Sequence, residues 1–432
     1  MQDNTPPRVV IVGAGFGGIA AAKALSDASV EVTIIDRHNH HLFQPLLYQV
    51  ATAGLNPSDI AQPIRYILAK QQNCQPILAD VTGVDIAAQL VESTAGRIPY
   101  DYLVLATGAT HAYFGKDEWA EHAPGLKTIE DALDIRRRIL LAFERADLAE
   151  TDEERTRQMT FVVVGAGPTG VEMAGAIREI ATQTLRRDFR RIDTTTAQVL
   201  LVEAGAAVLA PFPEKLQRSA TAQLENLGVD VRTETRVTEI SDEGVTTTNG
   251  FIPTATVIWA AGVAASPLGA QVAAETDRAG RAVVEQDLSL AGNPNVFAIG
   301  DVAAVTDVDG GMVPGVAPAA EQGGEHIALC IQADMAGTRR PDFVYKDKGS
   351  MATIGRSKAV ADLGPKLQFS GTPAWLLWCV VHIWSLIDFR SKVRTMGSWN
   401  WQYLTGQRSA RLITGNAPHA PTELPPPAAQ RD

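Results

Sequence analysis

Val9-Val10-Ile11-Val12-Gly13-Ala14-Gly15-Phe16-Gly17-Gly18 is followed by Ile19 to Leu25 and a second apolar run, Val30 to Ile35, ending on Asp36. A strand-like stretch runs into G-x-G-x-x-G at Gly13, Gly15 and Gly18, and a helix-like stretch follows. Each glycine has its own task in such a turn. One makes the tight turn, one lets backbone approach a pyrophosphate, and one lets the helix pack closely on the strand. Phosphates then rest on the partly positive helix N-terminus. Asp36 lies about 20 residues on, where an acid accepts hydrogen bonds from a ribose diol. Strand, glycines, helix and terminal acid in register imply a dinucleotide site rather than a bare Gly-rich turn.

The pattern occurs twice. Phe161 to Val164 leads into Gly165-Ala166-Gly167-Pro168-Thr169-Gly170 and then Val171-Glu172-Met173-Ala174-Gly175, and the strand Gln198 to Val202 ends on Glu203. Two complete copies imply two dinucleotides, one per copy. An acid rather than an arginine at 203 favours a free 2′-hydroxyl, hence NADH over NADPH. Glu172 has two readings. It is a favourable first-turn acid on its helix, or it faces the nicotinamide end of the cofactor, as the Ala20 at the equivalent place in the first copy suggests.

Small-residue turns follow buried strands at Ala106-Thr107-Gly108-Ala109 and at Trp259-Ala260-Ala261-Gly262, letting backbone come near a nucleotide. Leu78 to Ile86 and Arg97 to Leu105 read as strands, and Asn295 to Ile299 as a strand ending in Gly300-Asp301. Residues 116–157 read as a charged helical linker, with Ile135, Ile139 and Phe143 on one face. Leu42 to Ala51 is apolar enough to pack against a flat ring. His38, His40 and His41 lack the spacing of a metal site, and no metal is expected.

The chain of 432 residues is long enough for two or three domains, and its 45% hydrophobic content and 36 glycines suit an α/β enzyme. Its three cysteines, Cys74, Cys330 and Cys379, form no paired motif, which argues against a disulfide framework, a zinc site or a dithiol centre. The opening Met-Gln-Asp-Asn-Thr-Pro-Pro carries no secretory signature, and no run reaches the roughly 18 apolar residues of a spanning helix. A net charge of −11 argues against nucleic acid as a partner.

The tail departs from the rest. Between Pro365 and Thr414 six cations (Lys366, Arg390, Lys392, Arg394, Arg408, Arg411) stand against one anion, Asp388, and five of the seven tryptophans fall there. Ala374 to Ile387 is too apolar to face water and too short to span a bilayer. A buried or dimer-interface helix is one reading. Crowded tryptophans beside cations favour the other, a helix lying in the membrane interface, with Trp399, Trp401 and Tyr403 as headgroup-level anchors. His382 joins the polar stripe formed with Ser385, Asp388 and Lys392. The Pro/Ala-rich residues 416–432 read as a disordered tail.

Two fingerprints joined by A-T-G and ending in N-V-F-A-I-G-D resemble the two-dinucleotide-binding-domain flavoproteins. "HLFQPLLYQVATAGL", "PSDIAQPIR", "GAGPTGVEMAGAIRE" and "VIWAAGVAASPLG", with the tail from Ala374 to Ile413, resemble the type II NADH dehydrogenases over nearly the whole chain. That resemblance implies an α/β fold of two Rossmann-like domains with a C-terminal amphipathic-helix anchor. It implies FAD held by Gly13, Gly15, Gly18, Asp36, Thr107, Gly108 and Asp301, and NADH, as substrate, held by Gly165, Gly167, Gly170, Glu203 and Gly262. Glu172 and Gln322 would be the ring-side polar contacts. Residues 1–115 and 280–330 would form the FAD domain, 158–279 the NADH domain, and 331–415 the membrane-associating region, docking through residues 374–403.

The implied reaction passes hydride from NADH to FAD and two electrons to a membrane quinone without proton pumping. The implied setting is a peripheral homodimer on the cytoplasmic face of the inner or plasma membrane. One departure stands out. The family's quinone-side box, A-Q-x-A-x-Q, reads Ala317-Pro318-Ala319-Ala320-Glu321-Gln322 here, and proline donates no hydrogen bond. A soluble NADH-dependent reductase of a small iron–sulfur carrier shares the fold and both cofactors, but has no use for a tryptophan-rich basic tail. A redox-sensing flavoprotein is the non-enzyme alternative.

Overall fold

A computed structural model describes residues 5–408 and 410–415, so the tail expected at 416–432 lies outside the described residues. The described residues form two compact units: 5–42, 61–110 and 263–348 make one, and 43–60, 111–262, 349–408 and 410–415 the other.

The first unit is built on a six-stranded sheet in the order Ser289–Leu290, Asn293–Ala298, Tyr102–Leu105, Arg8–Val12, Glu31–Asp36, Cys74–Leu78. Arg8–Val12 pairs in parallel with both neighbours, and Val9, Val10 and Ile11 are almost wholly buried. A near-continuous β-branched run is what a strand covered on both faces requires. The strand expected over 78–86 is the shorter Val81–Asp85, and the stretch expected as one strand over 97–105 is divided. Cys74–Leu78 is separate from Val81–Asp85, and Gly96–Pro99 from Tyr102–Leu105. The chain turns between the members of each pair. Val81–Asp85 and Gly96–Pro99 flank Leu90–Ser93 in a small antiparallel sheet. Helices Phe16–Ala24 and Ala317–Met335 cross closely, because Gly324 lies against the Gly17 carbonyl and the Ala21 nitrogen, where any Cβ would collide.

The second unit repeats the plan with a parallel sheet in the order Val229–Arg232, Gln198–Val202, Thr160–Val164, Thr256–Trp259. The segment read as a linker contains the helix Ile129–Leu148, opened by a Thr128/Asp131 capping box, and buries Ile135, Ile139 and Phe143 within this unit. Buried Arg136 on that helix donates to the Val50, Leu55 and Ala410 carbonyls at 2.8, 3.0 and 3.1 Å. It thereby holds residues 47–55, which also pack in this unit.

The tail adds an antiparallel sheet (Ser350–Thr353, Ala359–Asp362, Gln368–Ser370) and two helices, Thr372–Ser385 and Phe389–Thr405. The first ends before Leu386, and Asp388 caps the second through the Arg390 N–H, so the expected continuous polar stripe is broken at the turn between them. Trp378 is buried, whereas Trp384, Phe389 and Leu404 are 80%, 78% and 79% exposed. Among the described residues no helix is long and apolar enough to cross a membrane.

Candidate functional site

The two fingerprint turns have the same geometry, each within its own unit. Gly13 (φ +102°) and Gly165 (φ +98°) hold left-handed turns, and a Cβ there would strike Ala106 and Ala261 respectively. A Cβ on Gly18 would strike the Gly13 carbonyl, and one on Gly170 the Gly165 carbonyl. Around the middle glycines, Gly15 and Gly167, space is open. Both are N-caps, of Phe16–Ala24 and Pro168–Glu179, and neither helix takes a side-chain cap. The first-turn N–H groups are therefore available to an anion.

The terminal acids also match. Asp36 accepts from the Ala14 and His38 N–H groups, each at 2.7 Å. Glu203 accepts from the Ala166 and Gly205 N–H groups, each at 2.7 Å. Each carboxylate ties the fingerprint loop to the end of the second strand. Among the first unit's buried polar atoms without a partner among the described residues are Thr107 Oγ1 and His41 Nε2. Gly108 (φ +65°) stands in open space beside Thr107. His41 Nδ1 bonds the Ala14 carbonyl at 2.9 Å, and burial holds its pKa below the usual range. Uncapped helix, open glycines and unpaired buried polar atoms together fit a bound dinucleotide.

Asp301 lies on the short turn Gly300–Val302, its Oδ1 3.0 Å from where a Cβ on Gly315 would stand. Gly262 is closed in by the Phe114 ring. Gln322 is engaged: its amide nitrogen donates to the Pro318 and Lys346 carbonyls, both at 3.1 Å, and its oxygen accepts from the Lys346 N–H at 2.9 Å. Among the described residues no group of three His, Cys, Asp or Glu side chains stands together as a metal site.

Glu172 lines a cavity of the second unit. With Ala176, Glu179 and Gln183 it forms one wall; Tyr48, Gln49, Trp375, Trp378, Trp399 and Tyr403 form much of the rest. These acids recur along Pro168–Glu179, the helix whose N-terminus carries the second fingerprint, so one rigid element serves both features. Burial pushes the Glu172 carboxyl up to about 8, and its one backbone contact, from the Thr353 N–H, is long at 3.5 Å. Glu179, by contrast, is paired with Arg408 at 2.9 Å and accepts from the Arg356 N–H. Arg356 stacks over the Tyr403 ring, 4.4 Å from its centroid. His382 bonds the Trp378 carbonyl and stacks on that ring, and burial pushes it down to about 4.

Sequence reasoning singled out Glu172 but not the residues around it. Tyr48 and Gln49 stand inside an apolar run, a polar pair that could have prompted suspicion. Nothing in the sequence links them to Trp399.

The pattern of the pyridine nucleotide-disulphide oxidoreductase family matches residues 7–324, and that of the NDH2 C-terminal domain matches residues 348–408. The type II NADH:quinone oxidoreductase Ndh of Mycobacterium tuberculosis is 48% identical over 438 residues, covering 97% of this chain and 93% of that protein. Its NdhA, under the same name, is 45% identical, covering 96% and 90%. The structure of NDH2 from Plasmodium falciparum in complex with NADH shares the fold at a TM-score of 0.86 and 20% identity, covering 95% of this chain and all of that one. Both dinucleotide turns and the C-terminal domain are thus accounted for by one group, and the chain belongs to the type II NADH:quinone oxidoreductase family.

Proposed function

We propose that this chain is an FAD-dependent NADH:quinone oxidoreductase that does not pump protons. FAD, when bound, accepts hydride from NADH and delivers two electrons to a quinone. The protein's part is to hold, orient and shield. Gly13, Gly15, Gly18, Asp36, Thr107, Gly108 and Asp301 hold FAD, all within the first unit. Gly165, Gly167, Gly170, Glu203 and Gly262 hold NADH within the second unit, with Glu203 selecting the free ribose hydroxyl.

The quinone occupies the cavity of the second unit. The observation that carries this is the helix Pro168–Glu179, which has an open dinucleotide turn at its start and cavity-lining Glu172, Ala176 and Glu179 along one face. With its carboxyl pushed up to about 8, Glu172 is protonated at neutral pH and offers an O–H to a ring oxygen. Gln322 retains an acceptor lone pair only, because its amide hydrogens go to the Pro318 and Lys346 carbonyls.

The cavity's outer wall comes from the helices that expose Trp384, Phe389 and Leu404 next to Arg390, Lys392 and Arg394. That combination suits the interface of a bilayer, where a quinone is dissolved. Peripheral attachment through residues 374–403, on the cytoplasmic face and as a homodimer, completes the proposal. Anaerobic rapid mixing tests it. NADH should bleach the flavin absorbance of the loaded protein, and a short-chain quinone should restore it within turnover time. Bleaching without restoration would favour a reductase of some other acceptor.

A further inference from the structure

The cavity wall contains a hydrogen-bond chain whose direction is fixed. An indole N–H only donates, and Trp399 Nε1 donates to Gln49 Oε1 at 2.7 Å. That settles the orientation of the Gln49 amide, since a flipped amide would set two donors against each other. Its nitrogen therefore faces Tyr48, and donates to the Tyr48 Oη at 2.9 Å. The phenolic oxygen is thus an acceptor, and its own hydrogen must point elsewhere. Among the described residues nothing accepts it, although Tyr48 is only 7% exposed and lines the cavity beside Glu172.

A buried hydroxyl with its hydrogen unplaced calls for an acceptor from a ligand. Flat aromatic walls, Trp375 and Trp378, limit the shape of that ligand, and Glu172 faces the same space. We propose that the Tyr48 hydroxyl donates a hydrogen bond to a quinone carbonyl in this cavity, and that Trp399, acting through Gln49, is the positioning residue that fixes the direction of donation. This rests on the reading above that the cavity receives quinone. Burial and the neighbouring Glu172 hold the Tyr48 pKa well above its ordinary value, so the group stays a phenol and a donor at any working pH.

Trp399 belongs to Phe389–Thr405, the helix that also exposes Trp401 and Leu404. A second side chain of that helix, Gln402, donates to the Gly54 carbonyl, so the helix is fastened to residues 49–54 at two points. The element offered to the membrane surface therefore sets the polarity of a hydrogen bond inside the cavity.

Three variants of the FAD-loaded full chain test this, each read as the ratio of flavin reoxidation by a short-chain quinone to flavin reduction by NADH. Tyr48→Phe removes the donor, and the ratio should fall about three- to tenfold at subsaturating quinone, carried by a raised KM. Gln49→Glu keeps both contacts but replaces the nitrogen by an acceptor, so Tyr48 turns its hydrogen toward residue 49. The ratio should fall as far as in Tyr48→Phe although the hydroxyl is still present. Trp399→Phe frees the amide and should give a smaller loss. A purely structural chain would leave Gln49→Glu at the wild-type ratio, and that result overturns the proposal even if Tyr48→Phe fails to fold. Failure of the underlying reading looks different: quinone would not reoxidise the wild-type flavin at all.

Discussion

Replacing Glu172 by glutamine should change how stability varies with pH, and the size of the effect follows from burial. The carboxyl rises from its ordinary 4.5 to about 8 because burial removes hydration and only one long contact compensates. Between those values the folded protein keeps a proton that the unfolded chain has released. The stabilisation from holding that proton is complete below about pH 4.5 and is lost as pH climbs toward 8. Each unit of pH in this window is worth about 1.4 kcal/mol, so going from about pH 5.5 to 7.5 removes about 2–3 kcal/mol from the wild type. Glutamine has the same shape and no titration. The melting temperature of Glu172→Gln should therefore gain on the wild type as pH rises, by on the order of 5–10 °C across that range. Parallel thermal melts of the FAD-loaded proteins supply the test, with an infrared titration of the carboxylic-acid band in wild type only. Parallel melting curves at all pH values, or an acid band that vanishes near 4.5, would refute the argument from burial.

Other residues give equally direct tests. Gly13→Ala should fail to fold, because its Cβ would meet the Ala106 carbonyl. Gly15→Ala should fold but retain little FAD, since the new methyl occupies open space next to an uncapped helix; Gly167→Ala should keep FAD and raise the KM for NADH. Flavin absorbance per protein and NADH titration distinguish the three. Arg136→Lys should lower stability by about 3 kcal/mol in a denaturant melt, because an ammonium cannot reproduce the three-carbonyl fork. Changing Trp384, Phe389 and Leu404 together to serine should abolish co-sedimentation with lipid vesicles and leave flavin content intact; continued co-sedimentation would remove these residues from the membrane account.

The dinucleotide turns were legible because their geometry is local. Gly13 to Gly18 and Asp36 lie close in the chain, and a left-handed φ or a backbone collision can be inferred from residue type and spacing. The repeat at Gly165 and Glu203 could be read for the same reason. The cavity could not, since it joins Tyr48 and Gln49 to Trp399 and Gln402 across some 350 positions, and no periodicity carries that pairing. The same limit hid the packing of residues 43–60, whose apolar character announces burial but not the surface that provides it. Gln322 shows the converse. Its place in a motif suggested a ligand contact, while its amide is engaged with the backbone of Lys346, a partner that side-chain type cannot reveal.

NADH and a quinone are proposed to meet one flavin on this chain. Steady-state oxidation of NADH against NADPH, by the FAD-loaded protein with menaquinone- and ubiquinone-type acceptors, tests this most directly. Quinone-dependent turnover with a strong preference for NADH is expected if Glu203 meets the NADH ribose, where it would repel a 2′-phosphate. A preference for NADPH would contradict the role given to Glu203, and no turnover with either quinone would contradict the account as a whole.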